Sequence, residues 1–242
     1  RAMESGPVTV ASLDNVSDNG ATLRRLTLDL ATTTGEPGLA DWIEANVAFP
    51  SSMVDRMTPA TDSDLRAATA AAIGMTDAWP VRAEPFSQWV IERGWATPMP
   101  ALADVGVQVV DAVAPWEALK LRVLNALHTA AALYGLRHGH ATVDAVVADP
   151  GGRGLLERLA VEIAEVLTAP AGTYVDAYVA TTLERFGNSG LGHRCDQIAT
   201  DSSQKLPVRI VPTLRERLAR DLPVDALVDV LALWAWSTRG RA

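Results

Sequence analysis

The chain is 242 residues long, 48% hydrophobic and 21% charged, with a net charge of −8. That suffices for a sizeable core in one large domain or two smaller ones, and an acidic balance with no basic block excludes a nucleic-acid groove. A single cysteine, Cys195, rules out an intrachain disulfide and suits a reducing cytoplasm, and the longest apolar stretch, residues 224–236, is broken by Asp225 and Asp229, so no membrane span is expected.

The first half mixes periods. Residues 8–13 read as a buried strand ending in a turn-rich stretch from Asp14 to Gly20. Residues 22–31 and 39–47 have helical spacing, and residues 49–59, with proline near each end, read as an ordered loop or irregular strand. Residues 61–74 predict a helix with Thr61 as its cap, and residues 81–91, rich in aromatic and β-branched side chains, predict a strand. No signal peptide is visible, and the chain reads as if it starts in mid-protein.

From Pro115 onward the pattern is helical. Pro115 suits the first turn of a helix running to Gly135 or Gly139. Residues 143–147 form a short helix that ends at the turn Asp149-Pro-Gly-Gly152, and Leu155, Leu156, Leu159, Ile163 and Leu167 mark the next amphipathic helix. Residues 174–186, 193–200, 212–220 and 224–236 complete an all-helical half, with a domain boundary near residue 113.

The densest concentration of chemistry lies on the helix after Pro115. With Lys120 at zero, α-helical geometry puts Asn125 at about 140° and His128 at about 80°, among Leu121 and Leu124, with Arg122 pointing away. An amine, an amide and an imidazole on an apolar face are costly to desolvate unless partnered. Either the lysine snorkels past two satisfied polar groups, or it is the kind of desolvated amine that serves as a base. Asp14-Asn15 follows a strand end, which suits an Asx turn or a ligand edge. His138 and His140 lack an acid or cysteine at ligand spacing and mark a helix terminus rather than a zinc site. Gly151-Gly-Arg-Gly154 follows no strand and makes a poor phosphate cradle, and no dinucleotide fingerprint occurs. Glu157, Glu162 and Glu165 read as a solvated helix face, and Cys195 beside Arg194 as either an activated or an inert thiol.

Six segments, taken in order, resemble the long-chain, zinc-independent polyol dehydrogenases, the family of mannitol 2-dehydrogenase and fructuronate reductase. They are Gly6-Pro-Val-Thr-Val-Ala-Ser-Leu-Asp-Asn15 with Asn19-Gly20, Phe49-Pro-Ser-Ser-Met-Val-Asp-Arg56, Glu84-Pro-Phe-Ser-Gln-Trp-Val-Ile-Glu92, Lys120-Leu-Arg-Val-Leu-Asn125 with His128, His193-Arg194 with Gln197-Ile-Ala199, and Asp201-Ser-Ser-Gln-Lys-Leu-Pro207. The resemblance implies a mostly α fold: an all-helical C-terminal domain of the 6-phosphogluconate-dehydrogenase-like kind over residues 114–242. Residues 1–113 are then a partial α/β remnant of a Rossmann domain with extra strands.

It also implies a mechanism. Lys120 would be the general base, Asn15 and Asn125 would support the developing alkoxide, His128 would orient the substrate and Glu117 would relay protons. Asp55, Lys205, Arg194 and His193 would contact the substrate, a polyol or sugar acid such as mannitol or mannonate. The cofactor would be NAD or NADP, with no metal. Ala126, Leu127 and Thr129 stand where the family has glycine or small residues, Ser202 where it has glycine and Ser51 where asparagine is common; these departures bear on substrate identity more than on reaction type. Most of the glycine-rich half that precedes this segment in the family is missing, so the chain alone is expected to be inactive. A helical interaction or regulatory module without cofactor binding is the non-enzymatic alternative.

Overall fold

The computed structural model describes residues 6–239. Contacts divide the chain into two compact units, one of Arg1–Met57 with Pro85–Glu117, the other of Thr58–Glu84 with Ala118–Ala242. The fold is mostly α, an all-helical C-terminal part preceded by an α/β remnant. The contacts do not follow a single cut near residue 113, because the segment 58–84 groups with the helices.

The first unit holds every strand found among the described residues. β1 (Val8–Thr9) pairs in parallel with β2 (Val47–Ala48) after two intervening helices, α1 (Asn19–Thr34) and α2 (Leu39–Asn46). β3 (Ser52–Asp55), β4 (Gln88–Glu92) and β5 (Gln108–Val110) form a mixed sheet, antiparallel between β3 and β4 and parallel between β4 and β5. Met53, Val90 and Val113 make its buried core, with Val110 and Trp116 packed against them. The Glu92 carboxylate accepts from the backbone of Ser51 and of Val113 (both 3.0 Å), closing the end of this sheet. The strand expected over residues 81–91 is confined to Gln88–Glu92, because the earlier residues include Pro85 and make no ladder.

The second unit begins with α3 (Ser63–Ile73), capped by Asp62, which accepts from Leu65 N, rather than by Thr61, whose hydroxyl donates to Pro80 O. After α4 (Ala114–Leu119) the chain takes one π-helical stretch, Lys120–Asn125, and continues as α5 (Ala126–His138), which Gly139 ends in the left-handed conformation. α5 is the central helix, buried at every residue from Ala126 to Leu133. Around it stand α6 (Val143–Ala148), α7 (Pro150–Ala164), α8 (Val175–Phe186), α9 (Cys195–Ala199), α10 (Ser202–Arg209), α11 (Val211–Leu218) and α12 (Asp225–Arg239).

Three expectations need correction here. The run from Asp149 to Gly152 is not a terminating turn: Asp149 caps Gly152 N at 2.8 Å and Pro150 opens α7, the position where a missing N–H costs nothing. A Cβ on Gly152 would collide with Val146 O, so the glycines serve helix packing. α10 lies where no helix was expected, and it contains Pro207. Glu162 is buried, not solvated. It accepts from Ala226 N (2.8 Å) and Leu227 N (3.0 Å) and so satisfies the orphan amides at the start of α12.

Candidate functional site

In the second unit the π-helical stretch sets the geometry. A turn closing i→i+5 brings the fifth residue nearly above the first. Asn125 therefore swings back toward Lys120, and three further α-helical residues leave His128 on the same side. The α-helical wheel already put these residues on one apolar face; the π turn narrows the angle between Lys120 and Asn125. Lys120 and His128 are each only 8% exposed and Asn125 is half-buried. Arg122 faces away, as expected, and anchors the stretch to α11 through a two-pronged pair with Glu216 (2.9 Å each) and a bond to Thr213 Oγ1 (3.0 Å).

The Asn125 carboxamide makes no hydrogen bond among the described residues, whereas its backbone oxygen accepts from Thr129 Oγ1 (2.9 Å) and from Arg209 Nη1 (3.4 Å). The His128 ring stacks on Phe186 (centroids 4.8 Å apart) and meets His193 edge-on at 4.6 Å. Burial, then the positive charges of His193, Arg209, Arg185 and Lys205, hold the His128 pKa well below 6.5, so the ring is neutral near pH 7. Its Nε2, and Nδ1 of His193, are buried without a partner among the described residues. Burial lowers the His193 pKa too, partly opposed by Glu84. Orphaned buried nitrogens beside an open amide suit a ligand rich in hydroxyls.

Lys205 sits on α10 with Nζ donating to the carbonyls of Ile198 (2.9 Å) and Thr200 (2.5 Å), and burial lowers its pKa. Arg194 stands apart: it is exposed and its charge is matched by Asp196 at 3.0 and 2.5 Å. Behind the imidazoles lies a pair that the sequence did not reveal. Arg185 donates to both oxygens of Glu84, at 2.7 and 3.0 Å, and both side chains are buried. This pair ties the segment 58–84 to α8, the helix whose next residue is Phe186.

In the first unit, Asn15 is exposed in the loop after β1, and Asp55 is buried at the end of β3. The organiser of this loop is Asn19, whose role was not anticipated. Its Nδ2 donates to the carbonyls of Ser12 (3.3 Å), Asp14 (3.0 Å) and Ser52 (2.9 Å), and its Oδ1 accepts from Ser52 N (2.9 Å). Neighbouring Gly20 must be glycine, because a Cβ there would lie 2.5 Å from Phe49 O. The Glu117 carboxylate accepts from Asp18 N (3.2 and 3.3 Å), at a residue in the left-handed conformation. A legible signal existed for Asn19: an amide four residues after a strand-end Asn, outside any helical apolar stripe.

Cys195 is buried and its thiol is pushed up to about 12, which makes it inert. His138 ends α5 and stacks on Tyr134 at 4.1 Å. No cluster of three metal-ligating side chains occurs among the described residues. A cavity of about 340 Å³ lined by Tyr134, Arg137, His138, Leu155, Arg158 and Trp236 contains none of the candidate site residues.

The order of these groups can be set beside known proteins. Residues 1–103 match the mannitol dehydrogenase Rossmann domain, and residues 112–241 match the mannitol dehydrogenase C-terminal domain. The chain belongs to the mannitol dehydrogenase family. It is 40% identical to D-mannonate oxidoreductase of Escherichia coli (strain K12), over 96% of this chain and 48% of that protein. It superposes on D-sorbitol dehydrogenase in its substrate-free form with a TM-score of 0.89 at 34% identity, covering 96% of this chain and 48% of that one. Against Pseudomonas fluorescens mannitol 2-dehydrogenase in complex with NAD and D-mannitol the TM-score is 0.81 at 34% identity, covering 94% and 46%. The chain thus spans about half the length of these relatives.

Proposed function

We propose that the chain is the substrate-binding and catalytic part of an NAD(P)-dependent dehydrogenase. It would interconvert a secondary alcohol of a polyol or sugar acid, mannitol or mannonate, with the ketone, fructose or fructuronate. The observation that carries this reading is the buried lysine, open carboxamide and neutral imidazole gathered by the π turn from Lys120 to Asn125.

Each group has a role that its setting supports. Lys120 Nζ, on a buried side chain, takes the hydroxyl proton as the general base. The nicotinamide, when bound, accepts the hydride from the carbinol carbon. The amides of Asn125 and Asn15 donate to the oxygen as charge builds there. His128 orients the substrate through its unpartnered Nε2, and Glu117 relays the proton toward solvent. Asp55, Lys205 and His193 hold the remaining hydroxyls, and Arg194, already paired with Asp196, contributes least.

The described residues fit the alcohol side of this exchange, but they include no strand, glycine-rich loop and helix in succession to cradle the phosphates of a dinucleotide. In this reading residues 1–113 end the dinucleotide-binding domain, residues 114–242 form the helical substrate domain, and the phosphates are held beyond this chain. The 242-residue chain alone would then turn over negligibly. No helix among the described residues is long and apolar enough to cross a membrane.

The test is NAD(P)H formation from D-mannitol, D-mannonate and related polyols by the chain joined to a complete dinucleotide-binding domain. Turnover of at least one is expected. Silence across the panel would overturn the reading and favour a non-catalytic module.

A further inference from the structure

Among the described residues Arg209 is a cation without a charge partner. It is the last residue of α10, four residues after Lys205, so the two long side chains leave the same helix face. Neither forms an ion pair with an acid among the described residues. Lys205 donates only to the carbonyls of Ile198 and Thr200, and Arg209 only through Nη1, to Thr129 Oγ1 (3.0 Å) and Asn125 O (3.4 Å). Asp201 favours the Lys205 charge from beyond ion-pair distance, and no acid does so for Arg209, whose pKa burial pushes down to about 10. Its Nε–H is buried with no acceptor, and Nη2 makes no hydrogen bond among the described residues.

A helix tether would need only the Nη1 contacts. It would leave unexplained why the Nε of this half-buried guanidinium is buried without an acceptor among the described residues, while Nη1 reaches Asn125 O and its charge is felt at His128. A lone buried charge is costly, and the cost is offset when an anion arrives. The free Nε and Nη2 are the two prongs with which a guanidinium grips a carboxylate side-on. Thr129 Oγ1 accepts from Nη1 and so orients the guanidinium.

We propose that Arg209, assisted by Lys205, binds the carboxylate of a sugar acid and makes the site selective for a hexonate over a neutral hexitol. The proposal rests on the dehydrogenase reading above and deepens it by naming the substrate class. Arg209 is then a specificity-determining residue, outside the proton and hydride chemistry.

The probes are D-mannonate and D-mannitol, which differ by a carboxylate in place of a hydroxymethyl group. Each is titrated calorimetrically into the 242-residue chain at low salt. Mannonate is expected to bind at least about tenfold more tightly, as a charge-assisted two-pronged contact should. Arg209→Met should abolish the preference while leaving mannitol affinity within about twofold, and Arg209→Lys should restore part of it. Thermal unfolding of both variants identifies any that fails to fold, and the preference is then read from Arg209→Gln. Equal binding of the two sugars by the unmodified chain, or a preference that survives loss of the guanidinium, would overturn the role of Arg209 and leave the dehydrogenase site standing. If neither sugar binds, the site reading falls and this proposal falls with it.

Discussion

Arg185 grips Glu84 with Nη2 to Oε1 at 2.7 Å and Nε to Oε2 at 3.0 Å, in a pocket where the side chains are 7% and 2% exposed. The pair joins residues 101 positions apart and stands next to Phe186, on which His128 stacks. Removing one partner strands the other charge without solvent. Arg185→Met should therefore cost about 3–5 kcal/mol of folding stability in urea unfolding, and Glu84→Leu with Arg185→Met should cost less than either single change. A single-variant loss below about 1 kcal/mol would show the pair to be dispensable.

Asn19→Ala removes the hub of the loop that carries Asn15. It leaves Ser52 N and the carbonyls of Ser12, Asp14 and Ser52 without this partner. A loss of about 3 kcal/mol is expected, from several buried groups at about 1–3 kcal/mol each with partial relaxation. Hydrogen exchange of the loop from Ser12 to Asn19 checks it, and should quicken there before it does elsewhere in the first unit.

Glu162→Leu keeps the volume and removes the acceptor for Ala226 N and Leu227 N. The loss of a helix cap with two buried donors should destabilise the chain by about 2 kcal/mol. Circular dichroism during denaturation should show α12 weakening first.

The two imidazoles give the fold an acid-sensitive term. His128 and His193 have folded pKa values below 6.5, so the unfolded chain binds protons more readily than the folded one. Their contribution to stability is present above pH 6.5 and is lost as pH falls from there toward the folded values. The melting temperature should fall over that window, and His128→Gln should flatten the profile. An unchanged profile in the variant would remove His128 as the titrating group.

Much of the framework was legible in the sequence because it follows local rules. Pro115 opens a helix, Gly139 ends it, and the leucines from Leu155 to Leu159 mark a buried stripe. What escaped depends on geometry that residue types do not announce. The π stretch has no compositional mark, so a uniform α-helical wheel could not anticipate it. No helix was expected over α10, which contains Pro207; a helix keeps its turn when only one N–H is lost and tertiary contacts hold the rest. Glu162 was legible in retrospect: it lies seven residues after Leu155 and three after Leu159, on the buried stripe. Glu84 and Arg185 are far apart in sequence, and nothing local to either predicts the other. The candidate site was visible as residue types on one helix, whereas the supporting groups Asn19, Phe186 and Arg209 come from other elements.

The most direct test is chemical rescue of Lys120→Ala, in the chain joined to a complete dinucleotide-binding domain. The substitution should lower kcat by about 10³-fold or more with little change in substrate affinity, and small primary amines should restore part of it in proportion to their basicity. Turnover of Lys120→Ala near the unmodified rate at neutral pH would contradict the base role of Lys120.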